Sequence, residues 1–212
     1  MAAKNTTREI ETPSGVARAH FSAGAGASIG LAVLGHGAGG GVDAPDLLAV
    51  TAALNGVGWT VARVEQPYRV KGRRAPEAAP RLDAAWEATV AALRQRRKGA
   101  LLVAGRSSGA RVACRTAAAV GADAVLALAF PLHPPGKPEK SRVDELVGVA
   151  VPVLVVQGDR DPFGTASAIE QEAGPTAARQ RTVVSVTGDH SLRQSADAVA
   201  AAVVSWLAGI AI

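Results

Sequence analysis

A chain of 212 residues, 48% hydrophobic and 19% charged, can bury a sheet covered on both faces, which argues against a disordered chain and against a second domain. Its single cysteine, Cys114, excludes an internal disulfide and a thiolate metal cluster, and its mid-helix position reads as packing. The net charge of +5 comes with only 3% aromatic residues, so stacking on nucleic-acid bases is not expected and the basic surplus reads as a solvated face.

In chain order, residues 1–7 are polar and expected to be disordered, and they lack the apolar segment of a secretory signal, which predicts a cytoplasmic protein. Residues 8–11 and 16–21 flank Thr12-Pro13-Ser14-Gly15, a turn by its proline and glycine, so an N-terminal antiparallel hairpin is expected. Residues 31–34 form a short buried strand, followed by the glycine-rich run 35–41. Asp43 then caps a helix that has Pro45 in its first turn, runs to about Leu54 and stops at Asn55-Gly56. Residues 59–64 are the next strand, ended by Gln66-Pro67. A loop over 68–80, rich in Arg, Lys and Pro, leads to a helix over 82–96 with Trp86, Val90 and Leu93 on one buried face.

Further on, the pattern predicts strands over 101–104, 124–130, 151–157 and 182–186, and helices over 110–120, 163–172 and 192–207. The apolar tail 198–212 is shorter than the ~20 residues a bilayer span needs and reads as a helix closing on the sheet, with no membrane contact. Strands that are apolar throughout and alternate with helices imply an α/β fold with a mostly parallel central sheet and helices on both faces. Function then belongs at the carboxyl ends of the strands. The segment 131–151 has room for a loop and one short helix, so no lid domain is expected.

Gly105-Arg106-Ser107-Ser108-Gly109 fits G-x-S-x-G between an apolar strand and an alanine-rich helix, the setting of a nucleophile elbow. Gly26-Ala27-Ser28-Ile29-Gly30 fits the same pattern but precedes a strand with no helix after it, so Ser28 reads as a linker serine. Ser107 is the candidate nucleophile. A serine hydroxyl needs a base, usually histidine. His20 belongs to the hairpin, His36 to the glycine-rich loop and His133 to the proline-rich loop, whereas His190 directly follows a strand and is the candidate base. Its acceptor is sought in Gln157-Gly158-Asp159-Arg160-Asp161-Pro162, also just past a strand. Asp161 is the choice there, with Asp159 bonding the turn or Arg160 and Asp189 pointing elsewhere. The oxyanion would rest on backbone amides, one from Ser108 and the other from Ala38 in the glycine-rich loop.

That loop also supports a rival. Gly35-His36-Gly37-Ala38-Gly39-Gly40 fits G-x-G-x-x-G after a strand, and Glu65 ends the next strand where a ribose-binding acid would sit. Against a dinucleotide site, the helix begins near Asp43, beyond the last required glycine, and Glu65 comes 30 residues after Gly35 rather than the usual ~20.

The order Ser107, Asp161, His190, with the His36-Gly37-Ala38-Gly39-Gly40 loop, resembles the α/β-hydrolase superfamily. Gly105-Arg106-Ser107-Ser108-Gly109, Phe130-Pro131-Leu132-His133-Pro134-Pro135-Gly136-Lys137-Pro138 and Gln157-Gly158-Asp159-Arg160-Asp161-Pro162-Phe163-Gly164 resemble a small lidless, dienelactone-hydrolase-like subgroup. It includes the testis-expressed hydrolase-like protein and the hydrolase-like domain of a non-specific-lethal chromatin complex subunit. The resemblance implies Ser107 as nucleophile, Asp161 as acid, His190 as base and Ala38 with Ser108 as oxyanion donors, with no cofactor and no metal. The implied partner is a small acyl substrate, for which His36, Gly37, Arg106 and His133 are the expected contacts. Arg106, Arg111, Lys71, Arg73 and Arg74 are candidates to gather at the mouth and favour an anionic acyl group. The competing function is a catalytically silent interaction module of the same fold.

Overall fold

The computed structural model describes residues 6–24, 26–95, 97–175 and 180–212. Strand β1 (Thr6–Thr12) and strand β2 (Gly15–Ala23) form the expected hairpin, closed at Gly15, whose φ of 106° a side chain would resist. The expectation of disorder over 1–7 falls outside the described residues up to Asn5. It is corrected for Thr6 and Thr7, which pair with Phe21 and His20.

Strand β3 (Gly30–Gly35) precedes helix α1 (Pro45–Gly56), and strand β4 (Trp59–Glu65) follows. Pro45 is in the first turn as expected, but the cap position is Ala44 rather than Asp43. The Asp43 carboxylate lies 3.0 Å from Arg63 Nη1 instead, and Asp46 supplies the acidic group of the first turn. The basic loop 68–80 is not wholly irregular, because Pro67 starts a short helix α2 (Pro67–Val70). Helix α3 (Ala79–Arg94) buries Trp86, Val90 and Leu93. Strand β5 (Ala100–Arg106) runs into helix α4 (Ser108–Thr116), which stops short of Val120. Then come strand β6 (Ala124–Leu128), helix α5 (Val143–Val147), strand β7 (Val153–Gly158) and helix α6 (Ala166–Ala173). Helix α6 starts later than expected because the Thr165 side chain caps it, accepting from Ala168 N. Strand β8 (Arg181–Val186) and helix α7 (Ala196–Ala208) end the described chain, with a short 3-10 turn over Arg193–Ser195 before α7.

Among the described residues the strands form one sheet in the order β1-β2-β4-β3-β5-β6-β7-β8. β1, β2 and β4 pair antiparallel, and β4-β3-β5-β6-β7-β8 pair parallel. The apolar strands divide their side chains between two cores. Leu101, Val103, Val125, Ala127, Val153 and Val155 join Trp86, Val112, Leu146 and Ile169 on the face covered by α3 to α6. Leu102, Ala104, Leu126, Leu128, Leu154 and Val156 face the other way, onto Leu47, Val50 and Leu54 of α1 and Val199, Val203 and Trp206 of α7. Burial on both faces explains why these strands lack polar alternation. It also leaves the carboxyl edge of the parallel strands as the place where loops from several strands meet.

Candidate active site

Ser107 stands between β5 and α4 at φ 52°, ψ −113°, a conformation that costs a non-glycine residue of order 1–3 kcal/mol. The neighbours enforce it. A Cβ on Gly105 would fall 2.2 Å from the Gly109 carbonyl carbon, and one on Gly109 would fall 2.5 Å from Gly35 O, so both outer positions of the motif must be glycine. Ser107 N donates to Leu128 O (2.9 Å), tying the turn to β6. Ser108 opens α4, where the first N–H groups have no acceptor within the helix and the positive end of the helix dipole faces Ser107.

His190, in the loop after β8, lies with Nε2 2.8 Å from Ser107 Oγ and Nδ1 2.8 Å from Asp161 Oδ2. An ionised carboxylate only accepts, so Nδ1 carries the proton and Nε2 is left to accept from the Ser107 hydroxyl. Asp161 is 3% exposed and closely held: Oδ1 accepts from Phe163 N and Oδ2 from Gln157 Nε2, both at 2.8 Å. Sequence reasoning missed both supporting residues. Gln157 was detectable as a polar side chain in a fully apolar strand, because a buried amide needs partners, and here Gly164 O and Phe130 O accept from it as well. Phe163 also lays its ring on the His190 imidazole, centroids 4.2 Å apart, and nothing in its local pattern announces that contact. As expected, Asp159 braces the loop, its Oδ1 accepting from Gly188 N (2.8 Å). Asp189 turns away to accept from Ser191 N (2.8 Å).

The loop after β3 completes the opposite wall. A Cβ on Gly37 would lie 3.5 Å from the Ser107 Cβ, an ordinary van der Waals separation, so this loop packs directly against the elbow. The Gly37 carbonyl accepts from His36 Nδ1 (2.8 Å) and Gly40 N (3.1 Å), which fixes the Gly37–Ala38 peptide; being trans, it directs Ala38 N–H away from those two donors. The next peptide is held by Tyr68 of α2, whose hydroxyl donates to Ala38 O (3.0 Å). Burial pushes that phenol up to about 12, so it remains a donor.

His36 corrects the expectation that it touches substrate. It is 2% exposed, with Nε2 accepting from Gln66 N (3.2 Å) while Nδ1 donates to Gly37 O, and burial holds its pKa below the usual imidazole value. The unfolded chain therefore takes up a proton that native His36 refuses, so native stability is present above the ordinary imidazole pKa and is lost as pH falls through it. His36→Leu leaves the Gln66 amide unpaired at a cost of about 1–3 kcal/mol at pH 7, and its stability declines less steeply than that of the native protein between about pH 7 and 5. Urea titrations across that range check both results.

The expected gathering of cations at the mouth is also corrected. Arg111 forms a two-point pair with Glu145 of α5 (2.8 and 2.5 Å), and Lys71 donates to Ser14 O (2.8 Å) beside the hairpin turn. Arg73 borders the same groove as Lys71, and Arg74 is exposed. Arg106 lies with Nε 2.9 Å from Asp46 Oδ2 and donates from Nη2 to His190 O (2.8 Å), so its side chain is occupied within the fold rather than offered to substrate. His133 stays near the site: its amide donates to Phe163 O (3.1 Å) and its ring to Pro134 O (3.0 Å). Cys114 is buried in α4 with its thiol pushed up to about 12 by burial, which makes it inert at neutral pH. Glu65, the acid of the dinucleotide alternative, lies 3.1 Å from His20 Nε2 and 3.5 Å from Arg18 Nη1. No helix among the described residues is long and apolar enough to cross a membrane.

A cleft of about 510 Å³ borders this arrangement on the α1 side, lined by Gly40, Gly41, Glu65, Arg69, Arg106, Ser191 and Arg193 among others. Chemically, the geometry can pass a proton from an alcohol to an imidazole backed by a buried carboxylate, beside a helix N-terminus.

No functionally curated protein matches the chain. Among solved structures it is similar to XC6422 from Xanthomonas campestris, a lidless α/β serine hydrolase, at 21% identity, covering 99% of this chain and 96% of that one with a TM-score of 0.81. An α/β serine hydrolase homologue from Coxiella burnetii aligns at 17% identity over 97% and 98% of the two chains, TM-score 0.79. Dienelactone hydrolase from Anabaena variabilis aligns at 16% identity over 100% of both, TM-score 0.78. At these identities the likeness concerns the fold. Sequence membership comes from residues 29–204, which match the model of the alpha/beta hydrolase domain and span the glycine-rich loop, the elbow, Asp161 and His190; the chain belongs to that family.

Proposed function

We propose that the chain is a serine hydrolase that cleaves a small ester or another activated acyl compound by way of an acyl-enzyme. The observation that carries this reading is the continuous line Ser107 Oγ, His190 Nε2, His190 Nδ1, Asp161 Oδ2, with 2.8 Å at both hydrogen bonds. In this reading Ser107 attacks the acyl carbon while His190 takes its proton, and the imidazolium is stabilised by Asp161 and by the Phe163 ring. The tetrahedral oxyanion rests on Ser108 N–H and Ala38 N–H; each such donor is worth about 3–4 kcal/mol of transition-state stabilisation. His190 returns the proton to the leaving group, and water activated by the same imidazole releases the acid.

Substrate size follows from what lies over the serine. Among the described residues the segment between β6 and β7 contributes only α5 and a short 3-10 turn, too little chain for a helical cap domain. Gly37 and His133 are the proposed contacts for the acyl compound. A p-nitrophenyl ester series tests the assignment: acetate and butyrate are turned over with kcat/KM above that of palmitate. Preference for palmitate contradicts the small-substrate assignment. Absence of turnover with every ester favours the silent interaction module suggested by the finer subgroup resemblance of 130–138.

A further inference from the structure

We propose that Arg106, the residue immediately before the serine, is a positioning residue that fixes His190 against Ser107. The inference rests on the hydrolase reading for its kinetic arm and on geometry alone for its spectroscopic one.

One guanidinium touches three separate segments. Its Nη2 donates to the His190 carbonyl at 2.8 Å. Its Nε lies 2.9 Å from Asp46 Oδ2 in the first turn of α1, and Asp46 is 0% exposed. Its Nη1 would lie 3.0 Å from a Cβ on Gly37, so it lies against the backbone of the loop that carries Ala38. The rest of the His190 loop shows why such a strut is needed. Residues before His190 are fastened to the turn after β7: Gly188 N donates to Asp159 Oδ1 and Arg160 N to Gly188 O. After it, Leu192 adopts a left-handed φ of 51° and is fully buried. Between these anchors the His190 peptide is held from the elbow side by Arg106, whose own main chain continues into Ser107. The base and the nucleophile are thereby referenced to one rigid group.

The arrangement also explains a buried acid. Desolvation raises the Asp46 pKa and the Arg106 charge opposes that rise, so the guanidinium makes the buried carboxylate tolerable. Arginine suits the role because its planar fork presents donors in different directions, whereas a lysine ammonium is a point charge.

Four variants separate positioning from simple neutralisation of Asp46. Arg106→Lys keeps a cation beside Asp46 but loses the fork; its kcat on p-nitrophenyl acetate is expected to fall about 10- to 100-fold with KM within about twofold. Arg106→Gln shows the same kinetic split with an added loss of stability. Asp46→Asn retains the bond to His190 and loses less than about threefold in kcat. The double variant Asp46→Asn, Arg106→Gln removes the uncompensated buried charge, and it still shows the 10- to 100-fold kcat deficit, by about the same misplacement argument. A proton NMR spectrum follows the hydrogen-bonded Nδ1 proton of His190. That resonance shifts or broadens in the double variant and stays in place in Asp46→Asn. Near-native kcat in Arg106→Lys or in the double variant, or an unmoved resonance in the double variant, overturns the assignment. If the native protein turns over no ester, the hydrolase reading fails, and the resonance still decides the role of Arg106.

Discussion

Ser107→Ala loses ester turnover by about 10⁴- to 10⁶-fold while folding normally. The size follows from what one oxygen does here. In the proposed mechanism it supplies the nucleophile; it lies 2.8 Å from His190 Nε2, and in its absence the path left to that mechanism is direct attack by water beside the proposed oxyanion amides. Folding is spared because alanine also tolerates the left-handed φ of 52° at moderate cost, and the glycines at 105 and 109 that shape the turn are untouched. Thermal unfolding within a few degrees of the native protein, together with kcat/KM on p-nitrophenyl acetate, measures both halves of the result. Residual activity within tenfold of native assigns the chemistry to another group.

Asp161→Asn is expected to lower kcat by about 10⁴-fold, because it leaves His190 in the wrong tautomer. The surroundings of Asp161 make the outcome specific. Its Oδ1 faces the Phe163 amide, and its Oδ2 faces both the Gln157 amide and His190 Nδ1, so donors meet it on each side. An asparagine must point its NH₂ one way or the other. Turned toward Oδ2, it opposes the Gln157 amide and donates to His190 Nδ1, which moves the imidazole proton to Nε2 and leaves no acceptor for the Ser107 hydroxyl. Turned toward Oδ1, it opposes the Phe163 N–H and leaves that part-buried donor unpaired, at about 1 kcal/mol. The first orientation sacrifices one donor at Gln157, which has Gly164 O and Phe130 O as other acceptors, so it prevails. Steady-state kinetics read the loss of rate, and nitrogen-15 shifts of the His190 ring read the tautomer.

The parts of this molecule that were legible in the sequence are those set by local pattern. Continuous apolar runs such as Leu101–Ala104 are buried on both faces, and only a mostly parallel sheet covered on both sides accommodates them. The elbow was legible because the glycines at 105 and 109 are demanded by backbone contacts within a few residues and one neighbouring strand. His190 and Asp161 could be placed past the ends of β8 and β7 because function gathers at that edge. Side-chain direction was not legible. Arg106 stands next to the serine and His36 within the glycine-rich loop, and from the sequence each reads as a substrate contact. The fold turns Arg106 to Asp46 and the His190 carbonyl, and His36 to the Gln66 amide. These partners lie 60, 84 and 30 positions away, which no local pattern reports. Helix α2 escaped for a related reason: four residues carry no periodicity, and the bond its Tyr68 hydroxyl makes to Ala38 O spans 30 positions.

Ser107, its hydroxyl 2.8 Å from His190 Nε2, is expected to react as an activated nucleophile. The most direct measurement is the intact mass of the native protein after exposure to a small fluorophosphonate, followed by peptide mapping. One adduct per chain, carried by the peptide containing Ser107 and absent from Ser107→Ala, is the predicted result. An unlabelled native protein, or an adduct on Ser108 or Ser191 instead, contradicts it.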